Sequence, residues 1–209
     1  MKHLPLIVAM VFVLAACNLS SKLKNTNSSN SNSSSSSSNP AKVGNDPVEV
    51  PNPTAAQTAA IANGNEVKWD QQGITWTLPA NWKKQDVRNE SLSYGGGGAF
   101  LSVVVSVMPQ MEKFTDVSIK AMFEGAKTNQ KIGKNDEVRW LQLDGVRGVG
   151  FRESKQEMAG DIRRLEWQAY RTYAGSTQLV TMILSTNSGD FPKHEDELYG
   201  ILYSTKIVH

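Results

Sequence analysis

From about residue 66 to the carboxyl end, apolar positions mostly alternate with the two-residue period of β-strands, and they switch to helical spacing in two places. Ile74-Thr75-Trp76-Thr77-Leu78 alternates cleanly and predicts a half-buried strand, paired with Val67 to Asp70 across Gln71-Gln72-Gly73. Pro79 ends that strand and Trp82 follows on a turn. A strand is expected over Asp86 to Tyr94, broken by Gly95 to Gly98. Ala99 to Met108 carries apolar side chains on both faces, which predicts a central strand covered on both sides. The helical spacing of Ile119, Met122, Phe123 and Ala126 predicts a helix with Thr115 as its cap. Glu137 to Leu143 and Val146 to Glu153 read as strands joined by Asp144-Gly145, a turn dipeptide that accepts positive φ. Ile162 to Tyr173 and Thr177 to Ser185 read as a further hairpin around Gly175-Ser176. A second helix starts at Asp190, with His194, Leu198, Ile201 and Leu202 on one face, before a short closing strand at Lys206 to Val208.

This order of elements predicts an α+β fold. The hairpins make its sheet mainly antiparallel, and two amphipathic helices far apart in sequence would cover opposite faces as an α/β/α sandwich.

The amino end has a different pattern. Leu4 to Ala16 is apolar apart from Pro5, follows the positive Lys2, and is too short to span a ~30 Å hydrocarbon core. It ends Leu14-Ala15-Ala16-Cys17, which resembles the recognition box of the bacterial lipoprotein signal peptidase. The resemblance implies cleavage before Cys17 and acylation of its thiol. Cys17 is the only cysteine, so the chain cannot form an internal disulfide. Residues 18 to 64 offer little to bury: Asn25 to Asn39 is nearly all serine and asparagine, followed by Pro40, Pro47, Pro51 and Pro53. Such a segment should stay disordered, with an end-to-end distance of about 40 Å, although Thr54 to Ala62 suggests a helical turn. Its expected purpose is mechanical, to hold the domain clear of lipid headgroups; a glycosylation substrate or a wall-spanning stalk is the rival reading. The expected organisation is a signal peptide over 1–16, a lipid-modified cysteine and tether over 17–64, and a globular domain over 65–209. The expected location is the bacterial cell envelope, at the outer membrane if the host has two, since Asn18 is not the aspartate associated with inner-membrane retention.

Within the globular part, Ile74-Thr75-Trp76-Thr77-Leu78-Pro79 with Trp82, the strand from Gln178 to Thr186, and the ending Ile201-Leu202-Tyr203-Ser204-Thr205-Lys206-Ile207 resemble the PsbP-like (Mog/PsbP) superfamily, including bacterial lipoproteins of the DcrB and LpqN type. The resemblance covers nearly the whole folded part. Its motifs are packing motifs. It implies a sandwich fold used as a binding or accessory module, and it transfers no catalytic residue.

Charge and composition narrow the chemistry. Formal net charge is +2 with basic and acidic residues interspersed, so no basic face for nucleic acid stands out. His194 is the only histidine inside the folded part, which leaves little from which to build a triad or a multi-histidine metal site. No cofactor, metal site or catalytic residue is expected. Gly95 to Gly98 lies between two strands and reads as a hairpin loop rather than a phosphate cradle. Gly148 and Gly150 read as a bare strip for close approach of a helix. The five tryptophans are mainly core; Trp82, on a turn after Pro79, reads first as a plug over the end of the sandwich and otherwise as a partly exposed ring for ligand stacking. Arg164, Glu166, Gln168 and Tyr170 share one strand face and form a candidate recognition patch. The expected partners are a membrane, through the lipid anchor, and either an envelope protein or a small apolar ligand. Acids converging around Glu166 or Glu195 would point instead to a hydrolase or transferase, and a featureless surface to a purely structural protein.

Overall fold

The computed structural model describes residues 47–109 and 114–209. The expected signal peptide, Leu14, Ala15, Ala16 and Cys17, and the tether as far as residue 46 lie outside the described residues. The elements run β1 (Val48–Glu49), α1 (Ala55–Ile61), β2 (Asn65–Trp69), β3 (Ile74–Leu78), β4 (Lys83–Val87), β5 (Ser91–Gly96), β6 (Ala99–Val107), α2 (Thr115–Lys131), β7 (Asn135–Leu143), β8 (Val146–Glu153), β9 (Ile162–Tyr173), β10 (Ser176–Asn187), α3 (Phe191–Tyr203) and β11 (Lys206–Ile207).

Eight strands form one sheet in the order β1-β7-β8-β9-β10-β6-β5-β4, and β11-β3-β2 form a small second sheet. Neighbouring strands are antiparallel except β1, which lies parallel to β7. The fold is thus α+β with a mainly antiparallel central sheet, as the hairpin pattern predicts.

One face of the large sheet supports the main core. Leu101, Val103, Leu141, Leu165, Trp167, Val180, Met182 and Leu184 pack there with Trp69, Ile74, Trp76 and Leu78 of the small sheet and with Phe191, Leu198, Ile201 and Leu202 of α3. The opposite face carries a smaller core, where Ile119, Phe123 and Ala126 of α2 meet Val138, Trp140 and Val149.

Four expectations need correction. Residues 47–64, assigned to the tether from their composition, contain β1 and α1. Thr54 and Gln57 cap α1 reciprocally, and Ile61 packs on the main core. Gly200 makes the docking of α1 on α3 possible, since a Cβ there would lie 2.6 Å from the Gln57 carbonyl oxygen. The expected strand Asp86 to Tyr94 is instead a hairpin, β4 and β5, turned at Arg88–Ser91, where the Arg88 N–H donates to the Ser91 carbonyl at 2.7 Å. Gly148 gives room to an indole and not to a helix: a Cβ there would lie 2.6 Å from Trp167 Nε1, which donates to the Leu141 carbonyl at 3.0 Å. Finally, among the described residues β6 is covered on one face only. Leu101, Val103 and Val105 are buried, whereas Phe100 and Val104 remain 46% and 40% exposed.

Candidate functional site

The reason for that half-covered strand is the reach of α2. Its apolar stripe packs on β7 and β8 and extends to β9 only at Tyr170. Beyond it, the α2-side face of β10, β6 and β5 has no helix among the described residues. Strand register fixes which side chains share this open face. One row runs Ser93, Ser102, Ile183, Glu166 and ends at Phe151 against the α2 core; the next runs Ser91, Val104, Thr181, Gln168 and ends at Val149, buried under α2. A third row places Phe100 beside Ser185 and Arg164. The ring of Phe100 lies across Gly95, where a Cβ would sit 2.7 Å from its Cδ1. The face therefore alternates hydroxyl-bearing and apolar side chains.

Three of the four candidate residues on β9 belong to this surface. Arg164 Nη1 pairs with Glu153 at 2.9 Å, and the Arg164 N–H donates to the same carboxylate at 3.0 Å. Glu166 accepts one hydrogen bond, from Gln168 Nε2 at 3.5 Å, and has no ion-pair partner among the described residues. Burial, and after it the negative charge of Glu153, push its carboxyl above the usual carboxylate range, against the opposing pull of Arg164 and Gln168. Tyr170 is packed into the α2 core and bounds the surface rather than joining it.

Trp82 is not part of any open site. It is 6% exposed; its Nε1 donates to Glu197 at 3.3 Å, and a Cβ at Gly96 would lie 2.9 Å from its Cα and Cδ1. The ring is a plug, as the favoured reading has it, and not a stacking surface, because the β5–β6 hairpin and α3 close over it.

Acids do converge near Glu195, but they converge on arginines. Arg152 bonds Glu195 through Nη1 and Asp136 through Nε at 2.7 Å; Arg163 also holds Asp136, and Tyr199 donates to Glu137. Arg139 reaches Glu49 at 2.8 Å, Glu137 at 3.1 Å and the Tyr203 hydroxyl at 2.7 Å. Burial alone would lower the Arg152 guanidinium, yet Asp136, Tyr199 and Glu137 more than reverse that and hold it above its usual range. Burial and the adjacent Glu137 raise Tyr199 well above the ordinary phenol range. The cluster ties α3 to β7 and β8 as a neutralised network, with its carboxylates occupied as acceptors.

A cleft of about 370 Å³ opens between α2 and β1, with Pro47, Glu49 and Arg139 on one side and Phe123 and Lys127 on the other. Phe123 and Trp140 stack at 4.4 Å, which leaves them 3% and 2% exposed. The cleft therefore offers a small ligand little apolar surface. Among the described residues no group of acids, histidines or cysteines is placed to hold a metal ion, and no helix is long and apolar enough to cross a membrane.

Sequence reasoning missed Phe100, Val104, Leu179 and Ile183 as surface residues. The available signal was the set of serines between them: Phe100, Ser102, Val104 and Ser106 alternate with the buried side chains of the same strand, and serine is a poor core residue.

No family model matches the sequence, and no curated protein does. Solved structures do resemble it. Cyanobacterial PsbP (CyanoP) from Synechocystis sp. PCC 6803 matches with 16% identity and a TM-score of 0.48, over 69% of this chain and 92% of that one. LpqN of Mycobacterium tuberculosis, described as involved in cell envelope biogenesis, matches with 9% identity and a TM-score of 0.45, over 69% and 90%. The Ran-binding protein Mog1p of Saccharomyces cerevisiae matches with 11% identity and a TM-score of 0.42, over 70% and 96%.

Proposed function

We propose that this chain is a lipid-anchored cell-envelope protein whose folded body is a non-catalytic docking module for another envelope protein. One observation carries the docking part: half of one face of the large sheet stays open, with Phe100 and Val104 about half exposed among serines and threonines. A sheet face left solely to solvent alternates polar side chains outward; large apolar groups grouped on it mark a contact surface. A wide, shallow face suits a protein better than a small apolar molecule, which needs a concave site to bury most of its area. The anchor rests on the Leu14-Ala15-Ala16-Cys17 box behind a short apolar leader. The serine- and asparagine-rich segment after it gives the body reach from the lipid surface.

Two experiments test the two parts. Cys17→Ser in the full chain is expected to abolish incorporation of labelled palmitate and membrane fractionation; retention of both would refute the anchor. A photo-crosslinking amino acid at Val104 in living cells is expected to give a discrete adduct, while one at exposed Lys84 on the edge strand β4 gives none. Equal crosslinking at both positions, or none at Val104, would refute the docking surface.

A further inference from the structure

Resting on that reading of the open face, we infer the chemistry of its partner: a protein surface that presents an arginine or lysine between apolar side chains, with Glu166 as the acidic anchor that receives it. Glu166 lies on β9 at the margin of the open face, directly opposite Ile183 on β10 and Phe151 on β8. Arg164 is the cation nearest in sequence on the same strand face, and its guanidinium is committed to Glu153. The one bond Glu166 accepts is long, 3.5 Å from Gln168. The other charged groups of this region, Glu153 on β8 and Arg164 on β9, pair with each other; the facing residues of β10 are Thr181, Ile183 and Ser185. A half-buried carboxylate with no ion pair of its own and incomplete solvation is costly unless something arrives to pair with it.

The surroundings specify what should arrive. Ile183 lies beside the acid, Val104 and Phe100 extend the apolar surface one strand further on β6, and the serine and threonine hydroxyls between them supply hydrogen-bonding groups, which is the arrangement of a polar anchor at the edge of an apolar patch. Three open strands spaced ~4.8 Å apart, with the adjoining margin of β9, give a footprint on the order of 15–20 Å across, matching a compact docking patch. An anionic lipid surface is disfavoured because the anchor itself is an acid. A second copy is disfavoured because a self-complementary contact would have to supply a cation from the same patch, where Arg164 is already engaged.

The test pans the full chain, purified in detergent and immobilised at its carboxyl end, against a displayed library of random dodecapeptides. An enriched peptide is then synthesised and its affinity measured for the wild type, for Glu166→Gln, and for the double variant Phe100→Ser/Val104→Ser, each shown to fold by its thermal transition. The enriched peptides are expected to carry arginine or lysine flanked by apolar residues. Glu166→Gln is expected to weaken binding about tenfold or more, as is replacing the basic residue of the peptide with glutamine. Enriched peptides lacking a basic residue, or affinity unchanged by Glu166→Gln while the double variant weakens it, would overturn the inference and leave the docking face standing. Absence of enrichment with self-association in sedimentation, or vesicle binding to phosphatidylglycerol that depends on Phe100 and Val104, would replace the inferred partner by a second copy or a lipid surface. Affinity unchanged in both variants would overturn the docking reading itself.

Discussion

Glu166 shows at the scale of one residue how a binding role differs from a structural one. Its carboxyl is raised in the folded chain, first by burial and then by Glu153, so the folded state takes up its proton more readily than the unfolded chain does. The charged form therefore costs stability near neutral pH, and that cost disappears as the pH falls below the ordinary glutamate value. Glu166→Gln is expected to raise the thermal midpoint at about pH 7, with the difference from wild type closing by about pH 4. An unchanged or lowered midpoint at neutral pH would show that the carboxylate is adequately compensated where it lies. Gly148 is a contrasting case, where the requirement is purely steric. A Cβ there would lie 2.5 Å from the Gln168 carbonyl oxygen and 2.6 Å from the Trp167 indole. Gly148→Ala is expected to cost about 1–3 kcal/mol in chemical denaturation, because neither the strand backbone nor a buried indole can yield. The need for a bare position at 148 is visible in the sequence, but the identity of the group that fills the space is not, since Trp167 arrives from the next strand, β9, and only the pairing register brings its indole over Gly148.

At the scale of elements, the sequence is legible where local chemistry decides and opaque where distant packing does. Asp144-Gly145 takes positive φ at both positions, 45° and 90°, as the turn dipeptide requires, and β7 and β8 follow at their expected places. The β9–β10 turn falls one residue earlier than Gly175-Ser176, because Ala174 itself adopts a φ of 50°, a conformation that alanine does not advertise. Asp190 occupies the expected position before α3, yet its carboxylate bonds Lys193 at 2.7 Å instead of capping the helix. Thr115 begins α2 rather than preceding it, and Phe114 takes the cap position without a side-chain bond. The segment before residue 65 is the clearest limit of composition. Ala55–Ile61 has little to bury by itself, and it is held by contacts with α3 that no local pattern reveals. Gly200→Ala is expected to separate the two helices: amide exchange in residues 55–61 should accelerate while that of β9 and β10 stays unchanged. Retained protection in α1 would mean that the contact at Gln57 is not what seats it.

At the scale of the whole molecule, α3 and α2 lie on opposite faces of the sheet as the sandwich expectation requires, and what fails is only the two-sided covering inferred for Ala99 to Met108 from its apolar groups on both sides. A helix placed by its own stripe covers only the width it spans, and α2 spans β7 and β8 of an eight-stranded sheet. The candidate row on β9 is legible from alternation, but Ile183 comes beside it only through the pairing of β9 with β10, and Val104 and Phe100 join the same face only through the pairing of β10 with β6. The ion-pair network around Arg152 and Arg139 is equally non-local, joining α3 to strands 40 and more residues earlier. The same network that fixes α3 occupies the acids near Glu195, whereas Glu166, on the open side, has no ion pair among the described residues.

The central claim is that this open face is free in the isolated protein and covered by a partner in the envelope. Val104→Cys, in a full chain whose Cys17 is acylated or replaced by serine, gives a single reporter thiol there. The account predicts rapid maleimide labelling of this thiol in purified protein, much faster than for Val103→Cys on the buried side of the same strand, and strong protection in intact envelope preparations of the acylated form. Slow labelling of purified protein, or labelling in the envelope as fast as in solution, would contradict it.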